Sequence, residues 1–207
     1  MGINERKEKE KAELRQQILD AAIKLFAKHG LEGLSIRKIA EIIEYSPTTV
    51  YLYFKDKNEI LYELHERGFM IMGSYNNGLL EIKNPLIRLH KMGENYIRFG
   101  LENPDYYDLM FMSEAPMEVI DRIKNCEWKL GDEALGLLRV MLEECMEKGM
   151  IPKGDPTAVS MAIWSLVHGL VSLAIRSRFE KLVTEEQVIP MMHSSLNWIV
   201  NTIETRN

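Results

Sequence analysis

Apolar residues return every three or four positions along most of the chain, as in Leu14, Ile18, Ala22 and Leu25 and again in Ile36, Ile39, Ala40 and Ile43. That is the period of a helix with one buried face. No run alternates polar and apolar residues beside a hairpin turn, so the pattern predicts an all-α fold. Proline supplies the punctuation, because its fixed φ and missing N–H suit the first position of a helix. Ser46-Pro47, Asn84-Pro85, Asn103-Pro104 and Asp155-Pro156 each set a capping side chain before the proline, while Ala115-Pro116 has the proline without the cap. Thr184 to Gln187 reads as a capping box. Pro190 follows so soon that this helix is either kinked there or begins nearer to it. About nine helices result, near 10–29, 36–43, 47–54, 58–82, 85–101, 104–113, 117–148, 156–179 and 185–204.

Composition narrows what such a fold can be. At 46% hydrophobic residues the chain can bury a core. The apolar run Met161 to Ile175 is broken by Ser165, His168, Gly169 and Ser172 and falls short of the ~20 residues of a membrane span, so it is expected to be a buried helix. The opening MGINERKEKEK has no apolar export segment, which makes a cytoplasmic protein the expectation. Cys126 and Cys145 lack metal-ligand spacing and read as structural thiols. No cofactor or metal is implied. The formal net charge of −5 is unevenly spread: residues 1–60 hold eleven Lys/Arg against ten Asp/Glu, and the remainder is acidic. A DNA-facing part must therefore be N-terminal and its attraction local.

Residues 35–54 have the syntax of a helix-turn-helix. Ser35 can cap a helix with Ile36, Ile39, Ala40 and Ile43 inward, and Ser46-Pro47 opens a second with Val50 and Phe54 on one face. The same pattern would serve a short hairpin that only fills a core. The second helix carries no Arg, Lys, Asn or Gln from Pro47 to Phe54, which is unusual for a DNA reader.

The run Ile18 to Leu64 closely resembles the DNA-binding domain of the TetR family of one-component bacterial repressors. Its marks are AAIKLFAKHG, Ser-Ile-x-x-Ile-Ala, Thr-Val-Tyr-Leu-Tyr-Phe and the Lys-Asp-Lys that follows. Downstream, Trp164, His168 and Gly169 resemble the Trp-x-x-x-His-Gly class of the family's ligand-binding domain. The resemblance implies a DNA-binding domain over 1–57 and a ligand-binding and dimerisation domain over 58–207. It puts Ser46, Pro47, Thr48, Thr49, Tyr51 and Leu52 at bases or adjacent phosphates, and Tyr53 and Lys55 on the phosphate backbone. Ser35, Arg37 and Lys38, with Lys55 and Lys57, lie at helix starts whose free N–H groups also favour phosphate. The basic arm Arg6, Lys7, Lys9 and Lys11 is interleaved with Glu5, Glu8 and Glu10 and reads as a solvated helix extension. Glu44 stands where such proteins usually have Gly, at a turn position that often needs positive φ, at a cost of ~1 kcal/mol.

In the helix after Asp155-Pro156, Ala158, Ala162, Ser165, Gly169 and Ser172 form a small-residue stripe beside the bulkier Met161, Trp164, His168, Val171 and Ile175. Joined to Met192, Leu196, Ile199 and Ile203 of the last helix, this resembles the family's four-helix homodimer interface; packing within one chain is the plainer reading. Tyr96, Phe99, Tyr107, Phe111, Trp128, Trp164 and His168 are the candidates for lining an inducer site, against the alternative of ordinary core. The mechanism so implied is a small, mostly apolar inducer that shifts the helix from Asn58 to Ile82 and releases a palindromic double-stranded DNA operator, with Gly68, Gly73 and Gly78 as sources of compliance. No phosphate loop, His-Glu-x-x-His or nucleophile elbow supports an enzyme, and Glu143, Glu144, Glu147 and Cys145 read as a solvated face. The remaining rival is a helical interaction protein that kept the head without operator binding.

Overall fold

The computed structural model describes residues 2–114, 116–117 and 128–205. Among these, the secondary structure is helical throughout, with no strand. The principal helices are α1 (Ile3–Gly33), α2 (Ile36–Ile42), α3 (Pro47–Tyr51), α4 (Lys57–Ser74), α5 (Pro85–Glu102), α6 (Pro104–Tyr107), α7 (Lys129–Glu147), α8 (Pro156–Ile175) and α9 (Glu185–Ile203). Packing divides the chain into two compact units, residues 1–68 with 105–127 and residues 69–104 with 128–207.

In the first unit, Ile18, Ala22, Phe26, Ile39, Val50, Phe54, Ile60, Leu64 and Leu109 share one buried cluster. The periodic residues of α1 and α2 therefore meet the two short helices that follow them. Arg15 lies over the Phe54 ring at 4.5 Å and pairs with Glu63, which ties α1 to α4. The first helix starts seven residues before the expected position. Its arm is a solvated extension held by i,i+4 pairs, Arg6 to Glu10 at 2.9 Å and Lys9 to Glu13 at 3.6 Å, and it breaks where expected, at Gly30 with φ 64°.

In the second unit α5 packs on α7, α8 and α9. Arg88 is buried there, its guanidinium donating to the Ile82 carbonyl at 3.0 and 2.9 Å and to Glu144 at 2.8 Å. Cys145 is fully buried beside them, and burial with the Glu144 charge pushes its thiol up to about 11. The expected solvated face of Glu143, Glu144, Glu147 and Cys145 is thus half structural, because the buried guanidinium needs Glu144 as counter-charge.

Several boundaries differ for identifiable reasons. α4 stops at Ser74, not Ile82: the weak helix formers Asn76, Asn77 and Gly78 follow, Gly78 has φ 76°, and Leu79–Glu81 make a separate 3-10 turn. Asn95 of α5 closes that end by donating to the Tyr75 carbonyl at 2.8 Å and to Asn76 Oδ1 at 3.1 Å. The expected 104–113 helix opens as α6 and continues as a π-turn over Asp108–Met112. α8 ends at Ile175 rather than 179, and α9 begins at the Thr184 box and carries Pro190 inside. Ala115 and residues 118–127, including Cys126 and much of the expected 117–148 helix, lie outside the described residues.

The capping prolines act largely as read. Ser46 Oγ accepts from the Thr49 N–H at 3.1 Å, Asn84 Oδ1 from Leu86 at 2.9 Å, and Asp155 Oδ1 from Thr157 at 2.8 Å. Asn103 also turns its amide back, donating to the Phe99 carbonyl at 3.1 Å and the Tyr75 hydroxyl at 2.9 Å. Three helices end in the same left-handed motif. The N–H of Tyr45 reaches Ala40, that of Met150 reaches Cys145, and that of Arg178 reaches Leu173, each at 2.9 Å, around Glu44 (φ 60°), Gly149 (φ 66°) and Ser177 (φ 51°).

α8 departs most from expectation. From Pro156 it runs 20 residues, long and apolar enough to cross a membrane by length and composition. It is not buried within the chain: Ser160, Val167 and Val171 are its buried residues, and Met161 is 54% exposed.

Two outcomes test these features. Glu44→Gly removes the left-handed penalty, less the entropy glycine adds to the unfolded chain, and should raise stability by roughly 0.5–1 kcal/mol and the melting temperature by about 2–3 °C; Glu44→Ala should give no gain. His65 is 1% exposed, and burial lowers its pKa to about 4. Its neutral form is favoured in the folded state, so stability is full above the ordinary histidine pKa and falls as pH drops from about 6.5 to about 4. Urea unfolding across that window should lose up to ~3 kcal/mol, and less in His65→Leu.

Candidate DNA-binding and effector sites

α3 is held by two devices that leave one face free. Val50 and Phe54 anchor it in the core at 0% and 1% exposure, and Ser46 with Pro47 sets its start. Thr48, Tyr51 and Leu52 then project outward, Tyr51 at 56% and Leu52 at 76% exposure, with Tyr53 half-buried. Ser46 Oγ also lies 2.9 Å from Thr49 Oγ1, so these two hydroxyls are committed to each other and to the cap. The outward chemistry left on α3 is a Thr hydroxyl and methyl, a phenol, a leucine and the Pro47 ring. That set suits thymine methyls and acceptors rather than guanine.

Around this face, Arg37, Lys55 and Lys57 are exposed and Ser35 is half-buried. Ser35 Oγ takes the Lys38 N–H at 3.3 Å, and the Lys38 ammonium folds back to the Gly33 carbonyl at 3.1 Å. The start of α4 does not offer the free N–H groups expected there. Asp56 accepts from Asn58 at 2.8 Å and Glu59 at 3.0 Å, and Glu59 accepts from Lys55 at 2.6 Å. An Asp-x-x-Glu pair beside Lys-Asp-Lys was the sequence signal for this closure.

The aromatic candidates separate into groups. Tyr107 and Phe111 meet with tilted rings 5.0 Å apart within the first unit, Tyr107 fully buried. In the second unit Phe99 is fully buried with Tyr75 edge-on at 5.9 Å. Tyr96, Trp164 and His168 meet: Trp164 Nε1 donates to Tyr96 Oη at 3.1 Å, and that hydroxyl lies 3.4 Å from His168 Nδ1. Burial holds His168 below the usual histidine pKa, so it is neutral near pH 7.

Tyr96 also walls a cleft of about 310 Å³ between α4, α5 and α7. Phe69, Met70, Met72, Gly73 and Asn76 line it from α4 and its end, Met92 and Tyr96 from α5, and Leu130, Glu133, Ala134 and Leu137 from α7. Trp128 is edge-on to Phe69 at 5.9 Å and so supports this wall. Of the seven expected ligand residues, Tyr96 alone lines the cleft. Met92, one turn before Tyr96 on the same helix face, and the α7 side are not among the expected residues.

The expected interface residues also divide. Ala158, Ala162 and Ser165 are exposed, and Gly169 and Ser172 half-buried, so the small stripe is not consumed by packing within the chain. Met192 and Leu196 are buried at 1% and 3%, Leu196 lying close over Gly93 of α5. Ile199 is half-buried, and the outward side of α9 presents Met191 and Trp198 at 51% and 67% exposure.

Comparison with known proteins agrees with this arrangement. Residues 18–64 match the family described as bacterial regulatory proteins, tetR family, and residues 89–192 match the tetracyclin repressor-like C-terminal domain. An uncharacterized HTH-type transcriptional regulator of Haemophilus influenzae is 32% identical over 143 residues, covering 66% of this chain and 76% of that protein. The HTH-type transcriptional repressor AcnR of Corynebacterium glutamicum is 28% identical over 153 residues, 70% of this chain and 72% of its own. A solved TetR-family transcriptional regulator of Haemophilus influenzae has the same fold, with a TM-score of 0.66 at 24% identity over 94% of this chain and 98% of that one. With both halves matched in order and a helix-turn-helix at the front, the chain belongs to the TetR family of DNA-binding transcriptional regulators, which are not enzymes.

Proposed function

We propose that this regulator is a cytoplasmic, ligand-responsive repressor, with residues 1–57 binding a palindromic operator and residues 58–207 binding the effector and a second copy of the chain. The observation that carries the reading is the capped α3, anchored by Val50 and Phe54, whose uncharged outer face is fully presented. Thr48, Tyr51, Leu52 and Pro47 read methyls and shape, while Arg37, Tyr53, Lys55 and Lys57 supply phosphate affinity. Ser46, Thr49 and Ser35 hold the reading helices in place. A head with so few cations binds weakly, so two heads on one duplex provide the avidity. The relative named as a repressor supports the sign of the action.

The second copy docks on α8 and α9. An apolar helix left open along Ala158, Met161, Ala162 and Ser165, beside Trp198, needs cover that its own chain does not give. The effector occupies the cleft walled by Tyr96. Occupancy bears on the last turns of α4 and, through the Tyr96 hydroxyl, on Trp164 and His168 of α8. A ligand that favours one arrangement of these helices shifts the population of operator-competent dimers.

Mobility shift on DNA upstream of the coding region tests the head. Tyr51→Ala should weaken binding roughly tenfold or more, and Lys55→Ala should weaken it across sequences and reduce the salt slope by about one. Replacing half-site thymines by uracil should also weaken binding; full binding on uracil-substituted DNA contradicts methyl reading, and no salt-sensitive palindrome binding favours a plain interaction protein. Ala162→Arg, at an exposed position, should halve the mass measured by light scattering at micromolar concentration while leaving the helical circular dichroism intact. An unchanged mass places the dimer contact elsewhere.

A further inference from the structure

The cleft between α4, α5 and α7 is chemically one-sided. Among its described lining residues none is Lys, Arg or His, and Glu133 is the single carboxylate. Three methionine thioethers and the rings of Phe69 and Tyr96 form much of the remaining wall. Thioethers and ring faces are polarisable, and ring faces attract cations. Among the described residues Glu133 pairs with Lys129, at 3.9 Å, with both side chains more than half exposed. A solvated pair of that kind is weak and yields to a better-placed cation. An anionic ligand would instead bring its charge against Glu133 with no counter-charge among the described lining residues.

We propose that the effector is an amphipathic organic cation, a quaternary ammonium or protonated amine on an apolar body, and that Glu133 selects it. The inference rests on the reading of this cleft as the effector site. The apolar body lies against Met72, Met92 and Leu137, and the cationic head sits between the carboxylate and the ring faces. Carboxylate-bearing lipids are disfavoured by the same arrangement.

Calorimetric titration of the full chain with decyltrimethylammonium, decanol and decanoate, which share one alkyl length, tests this. The ammonium should bind roughly five- to tenfold more tightly than decanol, with decanoate weakest. Glu133→Gln should remove that preference and leave decanol affinity unchanged. Gly73 lines the cleft, and a side chain added there meets open space, so Gly73→Phe fills the cleft and should block all three probes. Decanoate binding as tightly as the ammonium, or an unchanged preference in Glu133→Gln, overturns the charge inference while Gly73→Phe still upholds the cleft. Equal binding to the wild type and Gly73→Phe, or no binding of any probe, overturns the cleft reading and this inference with it.

Discussion

The larger unit is organised around a charge it has taken inside. Arg88 is 9% exposed near the start of α5, with three of its donors spent on the Ile82 carbonyl and Glu144. A guanidinium removed from water is tolerated only if each donor is met, so the approach to α5 and the register of α7 are jointly specified. Asn95, two turns on, satisfies the frayed end of α4 in the same way. These two polar side chains of one helix fix where the linker between α4 and α5 runs. Asn76, held by Asn95, is one of the residues lining the cleft.

The packing of α5 also explains why α8 is left half-covered. Three helices share α5 as their common neighbour, and of α8 only Ser160, Val167 and Val171 are buried. Its small residues face away, where closeness of approach matters more than bulk. The Trp164 and His168 side chains lie between these two faces and meet the cleft through one phenol. Cleft and open helix face thus lie on different elements, joined through the Tyr96 hydroxyl of α5.

Local punctuation was the most legible part of the sequence. Ser46-Pro47 and Asn84-Pro85 act within three residues of their own position, so their effect needs no knowledge of the fold. Glu44 was readable through the family resemblance, which puts a usual glycine at this turn, and its φ is 60°. The end of α4 was overrun although Asn76, Asn77 and Gly78 announced it, since the apolar Leu79 and Ile82 beyond continued the helical spacing. Burial of α8 was misread for a deeper reason: hydropathy reports that a residue avoids water, not which chain covers it. The cleft was hidden because its walls come from three helices, and aromatic content could not separate Tyr107, which is core, from Tyr96.

The closed start of α4 bears on how the head meets nucleic acid. Asp56 and Glu59 already hold the amides that a phosphate would otherwise take, as Ser46 does at α3. At these two helix starts the head is therefore complete before any duplex arrives. A surface fixed in advance leaves the accommodation on contact, in bending and groove width, to the duplex.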